Sequence, residues 1–124
     1  MQMVALVVFS REMDHWLGGR LHPDFKHVYC VVPTAHQHST EINLTCVGIQ
    51  TKTFDGTPME LQEEYNGFSD TSHTKLIQYD PAKRHLLPHS LNNCVGLTKQ
   101  LLGLTTWALT PYQLFKEVER NHAY

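Results

Sequence analysis

The sequence is short of cysteine, of charge and of long apolar runs, and each shortage excludes something. Three cysteines (Cys30, Cys46, Cys94) in 124 residues are too few, and odd in number, for a disulfide framework. Free thiols of that kind fit a reducing compartment. Charged residues make up 18% of the chain and the formal net charge is -2, with no segment gathering more than a few basic side chains. A nucleic-acid or anionic-membrane partner is therefore not expected. The one apolar run near the start, Val4–Phe9, is too short for a transmembrane helix and lacks the basic lead of a secretory signal. It reads as a buried strand. Internal repeats and low-complexity linkers are also missing.

What is present is ordinary globular composition. Hydrophobic residues account for 41%, outside the range of disordered chains. The length is that of one domain, expected over residues 1–124, and it buries roughly two-thirds of the unfolded chain's surface. A short helix is expected around Met13 and Trp16, ending at Gly18-Gly19. The run His27–Val32 (H-V-Y-C-V-V) has strand composition and is closed by Pro33. A second strand is expected from about Thr40 to Thr51, making an antiparallel hairpin across the polar segment 34–39. Thr57-Pro-Met-Glu60 and Thr110-Pro-Tyr-Gln113 both read as helix starts, with Thr as cap, Pro in the first position and an acid or amide reaching back. The first of these helices stops at Asn66-Gly67. Between the two lie expected strands at Thr74–Tyr79 and near His85–Leu87, a turn at Asp80-Pro81, and a helix from Asn92 or Asn93 to Gly103. A short extended piece, Thr105–Leu109, precedes the last helix, which should turn Leu114, Phe115 and Val118 inward. The class is α+β: an antiparallel sheet flanked by helices.

Two features carry chemistry. Cys94 follows Asn92-Asn93 and opens the apolar helical run to Gly103. A thiol in the first turn of a helix meets the positive end of the macrodipole and unpaired N–H groups, which favour the thiolate and can hold an oxyanion. The plain alternative is a small buried apolar side chain. Centring the hairpin loop near Ala35 sets His27 directly across from Asn43, with Cβ atoms roughly 4.5–5.5 Å apart. Asn beside His can fix the ring's tautomer and leave the other nitrogen free to take a thiol proton. Glu41, two residues from Asn43, is a reserve for that orienting role.

Those residues resemble circularly permuted NlpC-type papain-like proteins, especially small phage-encoded members. The matching segments are His27-Val28-Tyr29, Ile42-Asn43, the run C-V-G-L-T-K-Q-L-L-G from Cys94 to Gly103, and Thr110-Pro111-Tyr112-Gln113-Leu114. The chain departs from the pattern around Asn43. An aromatic-aliphatic run usually precedes the polar residue there and a Pro follows it, whereas this sequence reads T-E-I-N-L-T. The resemblance implies a permuted papain-like fold and a cysteine peptidase or amidase. In it Cys94 is the nucleophile, His27 the base and Asn43 the orienting residue, with no cofactor and no metal. It implies a peptide-like or amide substrate, with acyl transfer as a variant of the same chemistry. The location implied is cytoplasmic (the host's, for a phage protein) or virion-associated. The same scaffold can also serve without catalysis, as a virion or host-interaction component.

Nine histidines raise a metal reading, with His36 and His38 on one face of an extended segment and His73, His85 or His89 completing the set. Against it, no two cysteines are close in sequence and no H-x-x-x-H pair sits on an expected helix. Histidines at irregular loop spacing are more often solvated.

Overall fold

The structure, a computed structural model, describes residues 3–11, 24–45, 48–80, 94–104 and 110–122. In chain order the elements are β1 (Met3–Ser10), β2 (His27–Ala35), β3 (His38–Thr45), β4 (Gly48–Asp55), α1 (Pro58–Asn66), β5 (Thr71–Tyr79), α2 (Cys94–Leu102) and α3 (Pro111–Glu117), which runs into a π-helical turn at Val118–His122. The strands form one sheet in the order β4-β3-β2-β1-β5, antiparallel at every junction. This is the expected α+β class, with more strand than the sequence reading held.

The centre of the sheet is β1 and β2, whose valine-rich stretches are buried on both sides. Alternation divides their side chains between two cores. Ala5, Val7, Phe9, Val28, Cys30 and Val32 face one side, where Val95 and Leu102 of α2, Leu114 of α3 and Val118 close over them. Leu6, Val8, Tyr29 and Val31 face the other, beneath Leu61 and Tyr65 of α1. The molecule is thus three layers, with α1 on one face and α2 with α3 on the other.

Helix boundaries follow local chemistry. Thr57 accepts from the N–H of Glu60, and the Glu60 carboxylate accepts from the N–H of Thr57 at 2.9 Å. Thr110 and Gln113 repeat the arrangement. Gly67 does close α1, but in the right-handed region (φ -81), so its conformational freedom is not what stops the helix. Gly103 is the reverse case. Its φ of 64 lets the N–H of Leu104 reach the carbonyl of Lys99 at 2.9 Å, the long bond of a Schellman motif.

Three expectations are corrected. The strand expected over 40–51 is two strands, β3 and β4, with residue pairs from His38↔Asp55 to Thr45↔Gly48. Pro33 does not end β2. It pairs with Ser39, and the register then slips before Ala35↔His38. A bulge absorbs one residue there, which is where a sheet tolerates proline. The loop is consequently the short His36-Gln37 turn, with Gln37 at φ 56, and not the six-residue segment 34–39. The expected helix at residues 13–19, the strand at 85–87, the extended piece 105–109, Pro81 and the caps Asn92 and Asn93 lie outside the described residues.

Candidate functional site

His27 is the first residue of β2 and lies across from Ser10, the last residue of β1. It therefore sits at the end of the sheet where β3 finishes and β4 begins. Its Nε2 lies 2.5 Å from Oδ1 of Asn43. An amide oxygen only accepts, so in the neutral ring Nε2 carries the proton and the basic lone pair is on Nδ1. Among the described residues Nδ1 has no hydrogen-bond partner.

The contact is reached by a different route from the one the sequence predicts. The β2–β3 ladder runs Cys30↔Ile42, Val31↔Glu41, Val32↔Thr40. Continued to the sheet end, it brings Asn43 level with Tyr29 and His27 level with Thr45. Asn43 is therefore the diagonal neighbour of His27, not the direct one. The error in register is two residues, an even number, so both side chains stay on one face. A long polar side chain then spans the diagonal.

Three residues on that face complete the setting. Tyr29, 7% exposed, places its ring 5.9 Å from the His27 ring and 6.1 Å from that of Tyr65. Tyr65, 2% exposed, donates its hydroxyl proton to Glu41 Oε1 at 2.7 Å. Burial pushes the Tyr29 phenol well above its ordinary pKa, with the Glu41 and Asp70 carboxylates adding to the shift. Tyr65 is driven upward by burial and then by its bond to Glu41. At both positions the neutral phenol is thus favoured. Glu41 thus shares the face of Asn43, as expected, but its carboxylate serves Tyr65. The sequence reading missed Tyr29 and Tyr65. The signal for Tyr29 was available in its place two residues beyond His27 on the same strand.

Cys94 is the first residue of α2, at the helix start the sequence predicts; its side chain lies outside the described residues, as does Cys46. The faces can be compared through the neighbours. Val95 and Leu102 of α2 pack with Val28, Cys30 and Val32, whereas alternation turns His27, with Tyr29 and Val31, toward α1. The imidazole therefore faces away from the layer to which α2 belongs. Cys30 is fully buried.

The histidines of the metal reading are dispersed. His38 lies on β3, with Nε2 2.9 Å from the Asp55 carboxylate and Nδ1 2.7 Å from the His36 carbonyl oxygen. His73 lies on β5 and stacks on Phe25 at 4.9 Å, with β2 and β1 between the two strands. His85 and His89 lie outside the described residues. Among the described residues no three His, Cys, Asp or Glu side chains gather as a metal site, and no helix is long and apolar enough to cross a membrane. No protein-family model, curated protein or solved structure matches the chain.

Proposed function

We propose that the protein is a cysteine hydrolase of the permuted NlpC-type, papain-like kind, cleaving an amide or peptide bond. In this reading Cys94 is the nucleophile, His27 its general base and Asn43 the residue that orients the base. The observation that carries it is the His27–Asn43 bond. An imidazole at the end of a sheet, committed through Nε2 and basic at Nδ1, is prepared to take one proton from a group arriving at that end. The start of α2 supplies the thiol, and its first-turn N–H groups favour the thiolate.

The chemistry then runs in two halves. Nδ1 takes the thiol proton, and the sulfur attacks the substrate carbonyl carbon, placing negative charge on its oxygen. Collapse of that intermediate breaks the C–N bond. The imidazolium returns the proton to the leaving amine, and an acyl thioester remains on Cys94. Water then attacks the thioester carbonyl as Nδ1 removes its proton. The C–S bond breaks, the acid is released and the thiol is restored. An amine in place of water makes the same site an acyltransferase.

One observation favours a second reading, a papain-like scaffold that serves without turnover as a virion or host-interaction protein. It is the direction of the His27 ring, toward α1 and away from the face on which α2 packs. Labelling at pH 6 with a chloroacetamide-capped dipeptide, read by peptide mapping, separates the two. The hydrolase reading expects the adduct on Cys94, none on Cys30, and most of it lost in His27→Ala with a smaller loss in Asn43→Ala. Equal labelling of Cys94 with and without His27 would leave only the scaffold.

A further inference from the structure

The His27–Asn43 bond fixes one ring nitrogen but not the plane of the ring. A single hydrogen bond between two half-buried side chains allows rotation about its axis, so something must hold the imidazole face. Among the described residues one aromatic ring stands beside it. The Tyr29 ring is tilted 35° to the His27 ring, and the extended ladder places Tyr29 level with Asn43 as well. It therefore touches the base along its own strand and adjoins the orienting residue across the next.

Tyr29 is itself immobilised from behind. Tyr65 of α1 stands against it at an interplanar angle of 58°, and Phe54 and Phe68 flank Tyr65 at 6.3 and 5.1 Å. The Tyr65 hydroxyl is tied to Glu41 on β3. The α1 layer is thus joined to the strand that carries Asn43 as well as to the strand that carries His27. Packed aromatic rings have few rotamers and resist displacement.

We propose that Tyr29 is the positioning residue of the His27–Asn43 pair, its ring being the wall that holds the imidazole with Nε2 toward Asn43 and so leaves Nδ1 as the basic nitrogen. Its catalytic consequence rests on the reading of His27 as base, but its test does not. The phenol hydroxyl is secondary, since the ring makes the contact.

Nitrogen-15 NMR of the histidine side chains reads the ring nitrogens directly, with no substrate and no thiol. In the wild-type protein His27 should show a single Nε2–H tautomer when neutral, with nuclear Overhauser contacts from its ring protons to Tyr29. Tyr29→Phe should preserve that signature. Tyr29→Leu should replace it by averaged shifts of a tautomer mixture, with the Asn43 side-chain amide losing its distinct position. Cys94 alkylation at pH 6 should fall in parallel. A wild-type His27 without contacts to Tyr29, or an unchanged single tautomer in folded Tyr29→Leu, overturns the proposal. The wild-type contacts decide it alone should that variant fail to fold. Alkylation of Cys94 that ignores His27 altogether would instead sink the hydrolase reading and leave the tautomer result standing.

Discussion

The two faces of the sheet are built from the same strands and differ in what they ask of their helices. Beneath α2 and α3 the strands present Val7, Phe9, Val28, Cys30 and Val32, and the covering residues are Val95, Leu102, Leu114 and Val118. Burial there needs no hydrogen-bond partners. Beneath α1 the apolar patch is smaller, Leu6, Val8, Val31 and Leu61, and it is continued toward the sheet end by Tyr29, Tyr65, Glu41, Asn43 and His27. A buried carboxylate is tolerated there because a phenol donates to it. One face is a core; the other is a core that turns into a polar network at its rim. The proposed base belongs to the network, and the proposed nucleophile belongs to a helix of the apolar face. Function, on this account, requires the two to meet at the sheet end.

That contrast can be broken by substitution. The largest effect is expected on the apolar face, where Leu114 is fully buried. Leu114→Ala should destabilise by about 2–5 kcal/mol, the transfer loss plus the cavity left behind, measured by urea denaturation. The His27 ring signals should not move in that variant while it stays folded. Loss of the tautomer signature there would mean that the faces are one coupled unit.

On the α1 face Tyr65→Phe removes only an oxygen, yet should cost about 1–3 kcal/mol, because it leaves the Glu41 carboxylate buried without its donor. Pairing it with Glu41→Leu should recover part of the loss, since two apolar partners leave nothing unsatisfied. A purely additive double mutant would show that the pair is not coupled. A smaller effect is expected at the helix start. Thr57→Ala should cost about 1 kcal/mol through the lost cap, and Thr110→Ala a similar amount on the opposite face.

The smallest effect is a pH dependence at Glu60. Its carboxyl is held below the usual range by hydrogen bonds from the backbone and side chain of Thr57. The charged form is the one the fold favours, so Glu60's contribution is present above the unfolded-state pKa and fades as pH falls through the folded value. The acid limb of the stability profile should flatten in Glu60→Gln, whose amide oxygen still accepts but does not titrate. An unchanged limb would assign the acid sensitivity elsewhere.

Local chemistry was legible in the sequence and long-range chemistry was not. Both capping boxes span four residues, and both are found where the Thr-Pro pairs predict them. The face shared by His27 and Asn43 was legible too, because strand parity survives an error of two residues. The register itself was not, since reading Pro33 as a stop hid the bulge that carries β2 on to Ala35. The break between β3 and β4 was hidden because Cys46 and Val47, apolar residues, read as more strand. Tyr65 and Glu41 are 24 residues apart. Nothing in the spacing of a helix and a strand says which of their polar residues will meet. The proposed approach of Cys94 to His27 belongs to the same class, since packing across layers and not any local pattern would set it.

The pH profile of iodoacetamide alkylation at Cys94, followed by peptide mapping in the wild type and in His27→Ala, tests the central claim most directly. The account predicts that the helix start and a neighbouring imidazolium draw the thiol's apparent pKa well below the ~8.5 of an ordinary cysteine, and that removing His27 carries it back toward that value. A Cys94 that titrates near ~8.5 with His27 intact would contradict the account, leaving an α+β domain whose histidine and asparagine hold only each other.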